Sequence, residues 1–364
     1  MLRVRLYAVG VTKTDLRLDV LMRLSDLPGV PGQEDAVQDF VLKELDGLCD
    51  SVRVDALGNV IAWRKAGAKL KKGEQAERVM ISAHMDEIGF LVRHVDEKGY
   101  LRVQQLGGFD TRNLFARNVT VHARGGKLPG IMQPGGKPVH IASAEERKKI
   151  PEVGEFFIDL GLDGEEARRL VRVGDMVTLD QAARQVGGLV CGKAMDDRAC
   201  VFMALETLRV LKGQKLKHDL YAVFSVQEEV GLRGAVTAAF GVEPTIGIGL
   251  DVTLAVDLPA LGAGPHEAVT RLGDGIGIKV FDSSMISTRW LVDEFHDLAE
   301  KKGIKAQLEV LPMGGTDGGA IQRSRAGVPS LTLSIPTRYI HTVVESVNAD
   351  DVRAGVDLLV AYLT

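Results

Sequence analysis

The apolar run over 221–226 ends in two adjacent carboxylates, Glu228 and Glu229, before Gly231 breaks it. Neighbouring residues of an extended chain point to opposite sides, so one carboxylate can hold a cation while the other handles a proton. Alternation alone leaves open which is which. A second apolar run, over 78–84, ends in His84-Met85-Asp86-Glu87. Residues i and i+2 of a strand share a face, so Asp86 can hold the His84 imidazole in the tautomer that a metal requires. The runs over 246–250 and 330–335 lead to Asp251 and, a few residues on, to His341, and Asp196 opens a predicted helix just after Gly192-Lys193-Ala194. In an open parallel sheet the carboxyl ends of the strands lie along one edge, where such folds put their ligands. Two histidines and several carboxylates, with no cysteine needed, suit zinc, cobalt or manganese with positions left for water and substrate. Five ligand-type residues, His84, Asp196, Glu229, Asp251 and His341, exceed the needs of one catalytic zinc and suit two ions sharing a carboxylate.

Each of these residues has an ordinary reading by itself: Asp196 as a helix N-cap, Asp251 as a strand-end turn residue, His341 as an exposed loop histidine. Their joint occurrence at strand ends is what points to metal. His94, His122, His140, His218, His266 and His296 lack that placement and read as surface or packing residues, and Cys191 and Cys200 as small apolar packing groups.

The elements that must position this set follow from periodicity. Helices are predicted over 16–26 and 34–48, strands over 52–55, 59–63 and 78–84, and a charged surface loop over 65–77. From 88 to 180 the texture changes to short alternating strands, at 89–95, 100–104, 119–122 and 175–179, separated by glycines, with a short surface helix near Arg168 and Arg169. This predicts a small β-barrel or sandwich inserted into the first domain. The α/β pattern then resumes, with helices over 196–211, 235–240, 288–302 and 351–362 and strands over 221–226, 246–250, 278–281, 307–310 and 330–335. Strands alternating with helices predict an α/β fold with a mainly parallel, helix-covered sheet.

Composition narrows the class. At 364 residues the chain exceeds most single cores, and its 45% hydrophobic and 26% charged residues are those of a soluble globular protein. A net charge of −4 leaves no electrostatic footprint for nucleic acid or an anionic membrane, so neither is an expected partner. Three cysteines are too few and odd in number for a disulfide framework and point to a reducing compartment. The apolar runs are too short to span a bilayer, and residues 1–13 lack the apolar core and cleavage site of a secretion signal. A cytoplasmic location is expected.

The ordered motifs His84-Met85-Asp86-Glu87-Ile88-Gly89, Gly192-Lys193-Ala194-Met195-Asp196-Asp197-Arg198, Gln227-Glu228-Glu229-Val230-Gly231, Gly249-Leu250-Asp251, Gly314-Gly315-Thr316-Asp317-Gly318-Gly319-Ala320 and Ile335-Pro336-Thr337-Arg338-Tyr339-Ile340-His341 resemble those of the tetrahedral (TET) aminopeptidases. These are dinuclear metallopeptidases related to glutamyl and leucyl aminopeptidases, some labelled cellulases. The resemblance runs from about Leu16 onward, with residues 1–15 as an extension. It implies a zinc-peptidase-type catalytic domain formed by 1–87 and 181–364, and an inserted PDZ-like β domain, 88–180, used in building dimers into a dodecamer. It implies two divalent ions, most simply zinc, bridged by Asp196, with His84 and Asp251 on one and Glu229 and His341 on the other. Glu228 would be the general base, Asp86 a second catalytic-site residue, and the peptide bond after Asp196 cis. The implied reaction is release of N-terminal residues from peptides with a free amino terminus, by a water that two metal ions activate. Loops over 254–271 and 314–323 are expected to wall the substrate pocket. A dinuclear deacylase or carboxypeptidase is the alternative on the same ligands, and an oligomeric scaffold with a vestigial site is the non-enzyme reading. A glycosidase needs two carboxylates facing across a sugar, whereas these are committed to metal.

Overall fold

A computed structural model describes residues 15–67, 76–259 and 267–364. The expectations for residues 1–14, for most of the loop over 65–77, and for 260–266 of the expected pocket loop over 254–271, His266 among them, lie outside the described residues.

The chain opens with α1 (Leu18–Asp26), α2 (Asp35–Glu44), β1 (Ser51–Val54), β2 (Val60–Arg64) and β3 (Arg78–His84). There follow β4 (Gly89–Val95), β5 (Leu101–Leu106), β6 (Arg117–Ala123), β7 (Gly126–Pro134), β8 (Phe156–Asp159), α3 (Gly164–Leu170) and β9 (Met176–Leu179). The remainder is β10 (Arg184–Val186), β11 (Leu189–Gly192), α4 (Met195–Leu211), β12 (Asp219–Ser225), α5 (Arg233–Val242), β13 (Ile246–Leu254), β14 (Ile276–Phe281), α6 (Arg289–Lys302), β15 (Ala306–Val310), α7 (Asp317–Gln322), β16 (Ser330–Arg338), β17 (Glu345–Asn348) and α8 (Ala349–Leu363).

The main sheet runs β1-β2-β12-β3-β13-β16-β17-β11-β10, with β14 on β16 and β15 on β14. Its centre, β12-β3-β13-β16, is parallel, as the unbroken apolar runs of strands buried on both faces require. The flanks, including β1-β2, β2-β12, β16-β17 and β11-β17, are antiparallel, so the sheet is mixed. Period-2 alternation sorts the side chains of each central strand onto two faces. Val79, Ile81 and Ala83 of β3 and Ile248 and Leu250 of β13 pack with α4 and α8, while Met80 packs with α5 and Ile321 of α7 on the other face. Gly247 and Gly249 fall on that second face. A Cβ at Gly249 would stand 2.7 Å from the Gly318 backbone nitrogen, so glycine there lets α7 lie directly on the strand.

The inserted segment closes into an antiparallel barrel, β4-β5-β8-β7-β6-β9, around Phe90, Val103, Val121, Phe156, Ile158 and Val177. Val343, just beyond the last expected ligand, is buried in the same cluster and ties the barrel to the site. Among the described residues no helix is long and apolar enough to cross a membrane.

The structure departs from expectation in places. Helix α2 stops at Glu44 rather than running to 48. Strand β13 continues to Leu254, so Asp251 is an interior strand residue and not a strand-end one. Elements β10, β11, β17 and α7 are too short to show a period of their own.

Candidate active site

Three adjacent parallel strands bring the first side chains together. Ser225 of β12 pairs with His84 at the end of β3, and Ser82 of β3 pairs with Gly249 of β13. Two residues on from that second pair, Asp251 reaches the level of His84. The chain leaving β12 supplies Glu228 and Glu229. Ligand atoms of His84, Glu228 and Asp251 lie within 4.8 Å of one another, as do those of His84, Asp196 and Glu229.

Asp196 comes from the start of α4, where Ala194 is left-handed and the Asp196–Asp197 peptide is cis. Neither aspartate has helical φ/ψ, so the regular helix begins beyond them. The Asp196 carboxylate instead spans two imidazoles. Its Oδ1 lies 3.1 Å from His84 Nε2 and its Oδ2 lies 3.3 Å from His341 Nε2. His341 Nε2 is also 3.3 Å from Glu229 Oε1, and His84 Nε2 is 3.8 Å from Glu228 Oε2. Donors about 2.1 Å from a tetrahedral ion are separated by about 3.4 Å, so these spacings are those of donors around a cation.

Main-chain grips hold this array. Asp86 Oδ1 accepts the Glu228 N–H and its Oδ2 the Glu229 N–H, each at 3.0 Å. His84 Nδ1 lies 3.0 Å from the Asp86 carbonyl oxygen and 3.5 Å from its carboxylate, so the main chain of Asp86 is the nearer partner of the ring. Glu345 makes a matching grip: its Oε2 accepts the Asp196 N–H at 2.9 Å and its Oε1 the His341 N–H at 2.7 Å. Asp197 accepts the His84 N–H at 3.2 Å. Asp317, at the start of α7, accepts the Ser82 hydroxyl at 2.6 Å and the Ser225 hydroxyl at 2.5 Å, and so joins the strands that carry His84 and the glutamates. Glu345 escaped the sequence reading, and Asp197 stood in the Gly192–Arg198 motif without a role. Asp317 stood in a recognisable glycine-flanked motif without a role.

The electrostatics are those of crowded buried acids. Burial, reinforced by Asp251 and Glu229, pushes Glu228 well above the usual carboxylate range, and burial with Asp196 does the same to Asp251. Burial also raises Glu229. For Asp196 burial is outweighed by the bonds to His341 and His84, which hold it below its ordinary value. Burial opposes charge on His341, yet Asp196 and Glu229 push it up to about 12. Glu229 Oε1 is buried with no close partner other than His341 Nε2, 3.3 Å away. Such a cluster is costly unless cations compensate it. An all-oxygen-and-imidazole donor set with an orphaned carboxylate oxygen fits divalent metal.

The array floors a cavity of about 650 Å³. One wall comes from the barrel, where the loop after β5 brings Gly108, Phe109 and Asp110 to the cavity. Gly107 has φ +83°, and a Cβ there would lie 3.0 Å from Glu229 Oε2. His122 and His218 sit away from the site, against Thr178 and Tyr362.

Comparison with known proteins follows this geometry. The family model for M42 glutamyl aminopeptidase matches residues 58–358. A putative aminopeptidase of Acetivibrio thermocellus is 35% identical over 94% of this chain and 97% of its own. The solved TET aminopeptidase of a marine sediment thaumarchaeote is 35% identical, with a TM-score of 0.89 over 95% of both chains. The TET1 peptidase of Pyrococcus horikoshii, described as assembling into a tetrahedron or a large octahedral shell, is 33% identical, with a TM-score of 0.81 over 94% of this chain and 98% of its own. The chain belongs to the M42 glutamyl aminopeptidase family and is a metal-dependent aminopeptidase.

Proposed function

We propose that the enzyme removes N-terminal residues from peptides using two divalent ions, with Asp196 as the shared ligand, His84 and Asp251 completing one site and Glu229 and His341 the other. The observation that carries this reading is the Asp196 carboxylate, which turns one oxygen to each of two histidines. Zinc suits the donor set, and cobalt or manganese are accepted by the same chemistry. When bound, the two ions supply Lewis acidity at the scissile carbonyl and lower the pKa of water.

Within this reading Glu228 moves the proton. Buried at the floor of the cavity, its carboxylate takes a proton from the attacking water as the oxygen bonds to the carbonyl carbon. The same proton then passes to the departing amine nitrogen as the C–N bond breaks. Asp86 and Glu345 keep the main chains of Glu228, Glu229, Asp196 and His341 in register throughout. Free cysteines at 49, 191 and 200 agree with a cytoplasmic setting. Likeness to the shell-forming relative supports assembly into a homo-oligomer, to which we assign the segment 88–180; size-exclusion with light scattering of the protein with and without that segment reads it.

The test of mechanism is a pair of variants. Glu228→Gln should retain two ions per chain and lose about 10²- to 10⁴-fold in kcat on leucine p-nitroanilide, while Glu229→Gln should lose one ion. N-acetyl-leucine anilide should resist the wild-type enzyme. Release of its anilide at the rate of the free-amine substrate would show that no free amine is required, and release of acetate instead would make the enzyme a deacylase.

A further inference from the structure

The cavity above the metal-binding array has walls unlike its floor. Its charged groups are the floor carboxylates, His341 and Asp110, and among the described residues no lysine or arginine lines it. Asp110 is already matched: Arg112 donates to it from Nε at 2.9 and 3.0 Å and from Nη2 at 2.5 Å. Apart from Thr253, the other lining side chains are apolar: Phe109, Leu232, Val252, Leu254, Leu311, Met313 and Ile340. Two of these are held open to solvent, Leu254 at 43% exposure and Met313 at 79%. Large apolar side chains left bare at the mouth of a cavity mark a surface that a ligand covers.

We propose that this enzyme selects peptides whose N-terminal side chain is uncharged and apolar, and that Leu254, Leu311 and Met313 make the selection. The inference rests on the reading of this cavity as the peptide site. A peptide whose α-amino group and scissile carbonyl sit over the floor must project its first side chain against a neighbouring wall. A leucine, methionine or phenylalanine side chain there covers apolar surface and gains the usual transfer free energy. Among the described lining residues a glutamate side chain meets no lysine or arginine, and His341 is already engaged by Asp196 and Glu229; a lysine finds only a carboxylate that Arg112 already holds. The glutamyl preference carried in the family's name therefore does not extend to this chain.

The metal-loaded full-length protein should be assayed on the p-nitroanilides of leucine, glutamate and lysine, with N-acetyl-leucine anilide as control. The expected kcat/KM for leucine exceeds those for glutamate and lysine by at least about 100-fold. Met313→Lys, at a site exposed enough to leave folding intact, should raise kcat/KM for the glutamate anilide at least about tenfold and lower that for leucine. Calorimetry with the free amino acids gives a reading independent of turnover: leucine should bind the loaded enzyme and glutamate should bind at least about tenfold more weakly. Glutamate or lysine anilide cleaved as well as leucine overturns the preference alone. Failure to cleave any free-amine anilide, or equal cleavage of the acetylated one, overturns the peptide-site reading and the preference with it.

Discussion

Two buried carboxylates fix the main chains of four residues of the proposed metal and proton-transfer site. Asp86 receives the N–H groups of the adjacent glutamates, and Glu345 those of Asp196 and His341. Glu345 is 1% exposed, so no water can substitute for it. Glu345→Gln turns one acceptor oxygen into a donor facing an N–H. We expect metal affinity to fall by about 10- to 100-fold, with far-ultraviolet circular dichroism unchanged. Calorimetric zinc titration checks this, and unaltered affinity would leave Glu345 a mere packing group. Asp86 was legible in the sequence by its spacing two residues from His84, although β3 ends at His84 and the Asp86 carboxylate chiefly serves the Glu228 and Glu229 N–H groups. Glu345 was not, because an isolated glutamate after a loop carries no spacing that sets it apart, and its partners are distant in sequence from one another.

At the scale of elements, the site is where the ends of β3, β12 and β13 meet the start of α4, the loop after β16 and a loop of the barrel. The central strands and their acidic ends were readable, since buried parallel strands give unbroken apolar runs. Asp251 was found for a partly mistaken reason. It was expected where its strand ends, yet β13 carries on to Leu254 and presents Asp251 by alternation. Helix α7 was invisible to periodicity, and its contribution through Asp317 is a tertiary one. The barrel's share in the cavity was equally unreadable, because a β-rich insert gives no sign of which loop turns back. Gly107 is the residue through which that loop meets Glu229. Gly107→Ala combines a left-handed backbone with a Cβ 2.5 Å from Ile88 Cγ2 and 3.0 Å from Glu229 Oε2. We expect a cost of about 1–3 kcal/mol in denaturant unfolding, together with weaker metal binding. A loss of stability with metal affinity intact would show that the loop is structural only.

The molecule as a whole concentrates buried negative charge at one sheet edge while keeping a net charge of only −4. Asp196, Asp197, Glu228, Glu229, Asp251 and Asp317 are gathered with two histidines for company, so bound cations should stabilise the fold as well as equip it. A ligand at a hundred times its dissociation constant adds about 2.7 kcal/mol. Removing metal with a chelator should therefore lower the thermal midpoint by several degrees, and restoring zinc should return it. Scanning calorimetry on stripped and reloaded protein reads the difference directly. An unchanged midpoint would mean that the acids are compensated from within the chain. A dinuclear aminopeptidase centre built on Asp196 is tested by titrating metal-stripped protein with zinc while recording bound metal and leucine anilide turnover on the same samples. The prediction is that turnover is absent without metal and that uptake saturates at two ions per chain. Saturation at a single ion, or turnover that survives complete removal of metal, would contradict it.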